Sequence, residues 1–343
     1  MSVYDDVIGH SEVVDLLAGE ILHPAQAYLF VGPAKVGKAT IARRFAAAVL
    51  CGDEADCLRR AIGGFHPDLT VVEPDGATSL TVDQSRSTVA QAALAPVEGV
   101  RKIFLFEEAG LMNDEAANAL LKTLEEPTAT THFVLVAESE DELPPTVSSR
   151  TRTIRFGRVS HDELVAALQG RGVESGQAAN AARIAGGRPG LALSLATEPE
   201  AAEFRRTWLS IPNRVSPSPG EAYRLAAEVM DATEPLLEAL KLRQENEEGA
   251  PADRQQRELK RATSALHLNG LEILASFYRD VAAAQFGGEV RNLDVPASSL
   301  TTLTPAIAVA RAERVLDTID VLAANQRPQL AFAALFADLG ADA

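Results

Sequence analysis

Five short apolar runs punctuate the first 157 residues: AYLFV (27–31), LTVVE (69–73), KIFLF (102–106), HFVLVA (132–137) and TRTIRF (151–156). Each is five or six residues long and rich in Val, Ile, Leu and Phe. Nearly continuous apolar runs of this length predict strands buried on both faces of a parallel sheet. Helical spacing fills the gaps. TIARRFAAAVL (40–50) predicts one helix, and Asp114 to Glu126 predicts another. The second follows Asn113, a good N-cap, and stops at Pro127, with Ala117, Leu120, Leu121 and Leu124 on one buried face. The pattern then shifts. Residues 158–198 predict two or three short helices around the turn GGRPG (186–190), and no strand pattern follows. From 199 to 343 the chain reads as all-helical, broken at 243–258 by a polar segment with Gly249 and Pro251 that predicts a flexible loop. The expected organisation is an α/β domain with a parallel sheet (1–157), a small helical domain (158–198) and an all-α domain (199–343). No internal repeat is seen.

Composition narrows the function classes. The 343 residues are 46% hydrophobic, ordinary for a globular protein. No apolar run reaches 18 residues, so no membrane span is expected. The N-terminal MSVYDDVIGHSEVV reads as neither a signal nor a transit peptide. Two cysteines make no disulfide framework and fit a reducing cytoplasm. The net charge of −16 argues against a protein that grips DNA alone, because phosphate neutralisation needs a basic footprint. The basic stripe Arg254, Arg257, Lys260 and Arg261 reads as a solvated helix face.

The first apolar run leads into VGPAKVGKAT (31–40). Gly32, Gly37 and Lys38 satisfy the phosphate-loop pattern G-x4-G-K between a strand and a helix, where backbone N–H groups and a helix N-terminus can cradle phosphates. Ala39 stands where the pattern has the Ser or Thr whose hydroxyl ligates Mg²⁺. Thr40 lies one residue on, about 100° around the helix, and does not replace it. Lys35 fills a loop position that often takes Gly. The third run ends in Glu107-Glu108. An active ATPase of this layout has Asp-Glu there, the Asp helping to hold Mg²⁺ and the Glu polarising water. Glu107 is one methylene too long for the first role. Together these residues read as a degenerate ATP site.

The stretch NDEAANALLKTLEEPTATTHFVLVAESEDELPPTVSSRTRTI, with NALLKTLEEP at Asn118–Pro127 and SSR at Ser148–Arg150, closely resembles bacterial clamp-loader subunits of the AAA+ ATPase fold. YDDVIGH (4–10) resembles that family's nucleotide-base box, with His10 where Gln is common. GFHPDLTVVEP (64–74) resembles the stretch after its zinc module, and NQRPQLAFAALFADL (325–339) its last collar helix. The likeness is clear over the first 200 residues and weak beyond. It implies an AAA+ P-loop domain, a helical lid and a C-terminal helical collar that packs with other subunits in a ring.

The family's Ser-Arg-Cys motif puts an arginine finger into a neighbouring subunit's ATP site. Ser149-Arg150-Thr151 matches it with Thr for Cys. The resemblance thus implies a catalytic role in trans for Arg150, worth about 10³–10⁵ in rate in comparable systems. Arg188, in AGGRPG, stands where members often carry a sensor arginine or its relic. The implied cofactor-binding set is Gly32, Gly37, Lys38, Thr40, Glu107, Glu108 and Arg188. With Ala39 and Glu107 spoiling that set, the expectation is the stationary subunit, not a competent ATPase on its own. No cofactor is then required, and ATP binding is left open.

The implied partners are tau/gamma and delta subunits of DNA polymerase III and, through the complex, the sliding clamp and primed DNA; no membrane is involved. Of the family's four-cysteine zinc module only Cys51 and Cys57 remain, with His66 a third candidate ligand. Structural zinc usually takes four N or S ligands, so no zinc and two reduced thiols are expected. Two other readings compete. An active tau/gamma-like motor would turn over ATP as an isolated chain, and a P-loop interaction module outside replication would not co-assemble with these subunits.

Overall fold

The computed structural model describes residues 3–72, 74, 80–126, 128–245, 252–323 and 326–341. Glu73, Pro127, Asn325 and residues 246–251 of the polar segment lie outside the described residues. Two compact units divide the chain, Met1–Leu193 and Ser194–Ala343.

The first unit alternates strands and helices: α1 (Ser11–Glu20), β1 (Ala27–Val31), α2 (Lys38–Cys51), α3 (Ala55–Ile62), β2 (Leu69–Val72), α4 (Val82–Ala92), β3 (Lys102–Phe106), α5 (Asp114–Glu125), β4 (Thr131–Ala137), α6 (Pro145–Ser148) and β5 (Arg152–Arg155). The five strands form one sheet in the order β2-β3-β4-β1-β5, with every pairing parallel. The inner strands β1, β3 and β4 are buried at every residue, as their unbroken apolar runs require. The edge strand β5 departs from that pattern: Ile154 is buried while Arg152 and Arg155 are exposed, because only one neighbour and one covered face constrain it. Helices close both faces. Phe45, Ile41 and Val49 of α2 pack with Tyr28, Phe30 and Leu105 on one side, and Leu120 and Leu124 of α5 pack with Phe104, Phe133 and Leu135 on the other. Asn113 caps α5 through its side chain, which accepts from Ala116 N at 2.8 Å.

Three short helices complete this unit, α7 (His161–Gln169), α8 (Ser175–Ala185) and α9 (Pro189–Thr197), the last running four residues into the second unit. Ser160 opens α7 with a capping box to Glu163.

The second unit has helices and no strand among its described residues: α10 (Pro199–Ser210), α11 (Pro219–Asp231), α12 (Glu234–Glu245), α13 (Ala252–Gln285), α14 (Pro305–Ala323) and α15 (Pro328–Ala341). The polar segment expected as a loop over 243–258 is helical at both ends, since α12 reaches Glu245 and α13 starts at Ala252. The Gln, Glu and Arg residues at these two ends are good helix formers, so polarity alone does not mark a break there. Trp208 anchors the core of this unit, fully buried with its ring 5.3 Å from that of Phe332.

Candidate phosphate loop and arginine turn

The phosphate loop leaves the C-terminal end of β1 and enters α2 directly. Its backbone needs unusual conformations: Gly32 has φ +147°, Gly37 +103° and the non-glycine Lys35 +62°. Gly32 is also held close to its neighbours. Its N–H donates to Glu138 O at 3.1 Å, and a Cβ there would lie 2.2 Å from Phe156 O. The loop geometry is therefore set by the ends of β4 and β5 on either side of β1.

Lys38 is buried and turned back on the loop, with Nζ donating to Gly32 O at 2.6 Å and Pro33 O at 2.7 Å. Burial pushes its ammonium below the ordinary lysine range, against the opposing pull of Glu138 and Glu142. Ala39 presents a methyl group one residue on, and Thr40 is exposed. Arg43, four residues after Ala39 and so on the same side of α2, reaches across to the end of β3. Its Nε donates to Glu107 Oε1 at 2.9 Å and its Nη2 lies 2.8 Å from the same oxygen. Glu108 is exposed at the next position.

An Mg²⁺–ATP site of this fold needs a hydroxyl from α2 and a carboxylate at the end of β3. Here the hydroxyl is missing and the carboxylate is already paired with a guanidinium. The residues present do not fit the metal. Beside the loop, His10 takes a left-handed backbone (φ 59°), places Nε2 2.8 Å from Val36 O and packs edge-to-face with Phe156, their ring centroids 5.2 Å apart. Arg188 lies at the start of α9, with Nε donating to Ala185 O at 2.9 Å.

The structure thus brings Gly32, Gly37, Lys38 and Glu107 to the C-terminal ends of the strands. Arg150 lies at their N-terminal ends. It follows α6 and precedes β5, which runs parallel to β1 with Arg152 opposite Tyr28. Arg150 is therefore level with residue 26, about six residues or roughly 20 Å of strand from Gly32. The guanidinium is half-exposed, donates from Nη1 to Thr146 O at 2.8 Å, and has Nη2 2.6 Å from Glu125 Oε1. Thr151 Oγ1 donates to Ser148 O at 2.8 Å and tightens the same turn. Arg43 and Glu125 were not among the residues singled out by sequence. The i,i+4 relation of Arg43 to Ala39 was readable there; the partner of Glu125 was not.

The cysteines correct the sequence reading. Cys51 and Cys57 are not two free thiols but a disulfide, with Cα atoms 5.6 Å apart. The turn at Gly52 (φ 58°) folds α3 back beside the end of α2 and brings them together. A His66 ring nitrogen lies within 4.8 Å of both sulfurs. His66 is buried, and its Nδ1 accepts from Asp68 N at 3.1 Å. Two sulfurs bonded to each other and one imidazole do not make a four-ligand zinc set.

Residues 10–160 match the family described as DNA polymerase III, delta subunit. The subunit delta' of Pseudomonas aeruginosa is 40% identical over 143 residues, 39% of this chain and 43% of that protein. The subunit delta' of Bacillus subtilis is 34% identical over 139 residues, 38% of this chain and 42% of that protein. The subunit tau of Bacillus subtilis is 31% identical over 172 residues, 47% of this chain and 30% of that protein. The chain thus spans less than half the length of each of these relatives. No helix among the described residues is long and apolar enough to cross a membrane. Residues 10–160, the part of the chain that is similar to this family, hold both the phosphate loop and the arginine turn.

Proposed function

We propose that this chain is the delta prime subunit of a bacterial clamp loader, a cytoplasmic replication protein. It would assemble with tau/gamma and delta subunits and help place the sliding clamp on primed DNA. It is the stationary member: its own ATP site is degenerate, and Arg150 completes the ATP site of an adjacent tau/gamma subunit. The helices of the second unit are the collar through which it joins the ring. Zinc has no part in the protein.

One observation carries this reading. Arg150 and the phosphate loop stand at opposite ends of the same parallel strands. An arginine side chain cannot bridge roughly 20 Å, so Arg150 is out of reach of its own loop and positioned for another subunit's. The spoiled cation set, Ala39 and the Arg43–Glu107 pair, agrees with a chain that lends a residue rather than turning over nucleotide itself.

The test is reconstitution with tau/gamma and delta subunits, sliding clamp and primed DNA. Arg150→Ala should leave assembly intact, since a surface change usually costs within about 0.5 kcal/mol. Clamp- and DNA-stimulated ATPase and clamp loading should both fall. Arg150→Lys should rescue poorly, because an ammonium lacks the planar fork. Full loading by the alanine variant at limiting ATP would refute the reading.

A further inference from the structure

Arg150 does not wait with an empty guanidinium. Two of its acceptors, Thr146 O at 2.8 Å and Ser149 Oγ at 3.3 Å, belong to its own turn. The third is a full negative charge from another element, Glu125, the last residue of α5, at 2.6 Å. Both elements are anchored. Leu120 and Leu124 of α5 and Val147 of α6 are buried in the same core, so the carboxylate and the guanidinium meet at a fixed place on the surface. The pair remains open to solvent, with the two side chains 36% and 47% exposed.

A carboxylate offers the guanidinium fork the same kind of paired oxygens that a terminal phosphate does. Glu125 therefore occupies, within the subunit, the side of Arg150 that a nucleotide on a neighbour would use. An exposed pair of this kind is weak. A triphosphate, with several negative charges, can displace a single carboxylate from it.

We infer that Glu125 is a positioning residue that parks Arg150 within its own subunit, so that a nucleoside triphosphate on the adjacent subunit must draw the arginine off a carboxylate to complete its site. This rests on the trans role given to Arg150 above. Parking keeps the arginine ordered at the subunit edge and sets a threshold that the neighbour's phosphate charge has to exceed. The turn hydrogen bonds to Thr146 and Ser149 keep the side chain in place while its other face changes partner.

Two measurements test this. In the free chain, phenylglyoxal labelling of Arg150, followed by mass spectrometry, should quicken severalfold in Glu125→Gln and stay near wild type in Glu125→Asp. Unchanged labelling in the glutamine variant would refute the pairing, whatever Arg150 does in a complex. In the reconstituted loader, Glu125→Gln should lower the ATP concentration for half-maximal stimulated ATPase by about 2–5-fold, the range an exposed ion pair of up to ~1 kcal/mol allows. Glu125→Asp should restore it, and Glu125→Gln with Arg150→Ala should behave as Arg150→Ala alone. An unchanged half-saturating concentration, or a lower kcat in its place, would overturn the parking role while a defective Arg150→Ala left the function itself standing. If Arg150→Ala were fully active, the function and the parking role would fall together.

Discussion

Arg43 and Glu107 join α2 to the end of β3, with Arg43 Nη2 2.8 Å from Glu107 Oε1. The two residues are 64 apart in sequence, one on the helix that the phosphate loop enters and the other after β3. Arg43 shares a face of α2 with Ala39, the position whose hydroxyl would bind a divalent cation. Position 39 thus offers no hydroxyl, and the Glu107 carboxylate is paired with Arg43.

The isolated chain should therefore show negligible ATPase activity, with or without Mg²⁺. Steady-state turnover by the purified protein is the measurement. A rate near one per second that Lys38→Ala abolishes would show that the loop still works despite Ala39 and the Arg43–Glu107 pair.

Asp68 should be a stability hot spot with a clear pH signature. Its buried carboxylate accepts from Val97 N at 2.6 Å, Glu98 N at 2.8 Å and Gly99 N at 2.9 Å. Burial alone would raise its pKa, but the three backbone donors hold it below the ordinary carboxylate range. Asp68→Asn should cost about 1.5–3 kcal/mol, the usual worth of hydrogen bonds to a charged group. A depressed folded pKa contributes stability above the unfolded value of about 3.9 and loses it as pH falls through the folded value. The gap between wild type and variant in urea melts should therefore be full at pH 7 and shrink below about pH 4. A constant gap across that range would assign the cost to packing instead.

The sheet was readable because burial on both faces leaves an uninterrupted apolar signature in β1, β3 and β4. The glycine loop was readable because its conformation needs Gly32 and Gly37. Polarity misled at the end of α12 and the start of α13, where Gln, Glu and Arg suit a helix as well as a loop. Pairings between distant elements were not readable at all. Nothing local tells Glu125 that Arg150 is its neighbour, or Glu107 that Arg43 is, because the sheet order β2-β3-β4-β1-β5 decides which strand ends meet. The cysteine bond was missed for another reason: two cysteines six apart can pair only if the turn between them reverses the chain, and that rests on the backbone at Gly52.

The Cys51–Cys57 bond should contribute modest stability and exclude zinc. It closes a loop with a sequence separation of six, for which the chain-entropy relation gives about 2 kcal/mol. Adding reductant, or Cys51→Ser, should lower the unfolding midpoint accordingly. Protein purified without chelators should hold substoichiometric zinc by elemental analysis. One tightly held zinc per chain, lost in Cys51→Ser, would mean that the thiols and His66 bind metal with a further ligand.

Gly270 should tolerate no side chain, although it lies inside a helix. It sits in the 34-residue α13, where alanine is ordinarily preferred over glycine by about 1 kcal/mol. A Cβ at this position would meet Trp208 Cε2 at 2.1 Å and Cζ2 at 2.3 Å. Trp208 cannot retreat, since it is fully buried and its ring packs edge-on against Phe332 and Phe336. Overpacking of this kind costs about 1–3 kcal/mol, more than helix propensity returns. Gly270→Ala should therefore destabilise the second unit by up to about 2 kcal/mol net, visible as a lower urea midpoint with an unchanged m-value. The same change at a glycine with open space around it, such as Gly19 in α1, should be neutral or stabilising. If Gly270→Ala instead raised the midpoint as Gly19→Ala does, propensity would outweigh packing at the Trp208 contact, and the close approach of α10 to α13 would not be what fixes glycine there.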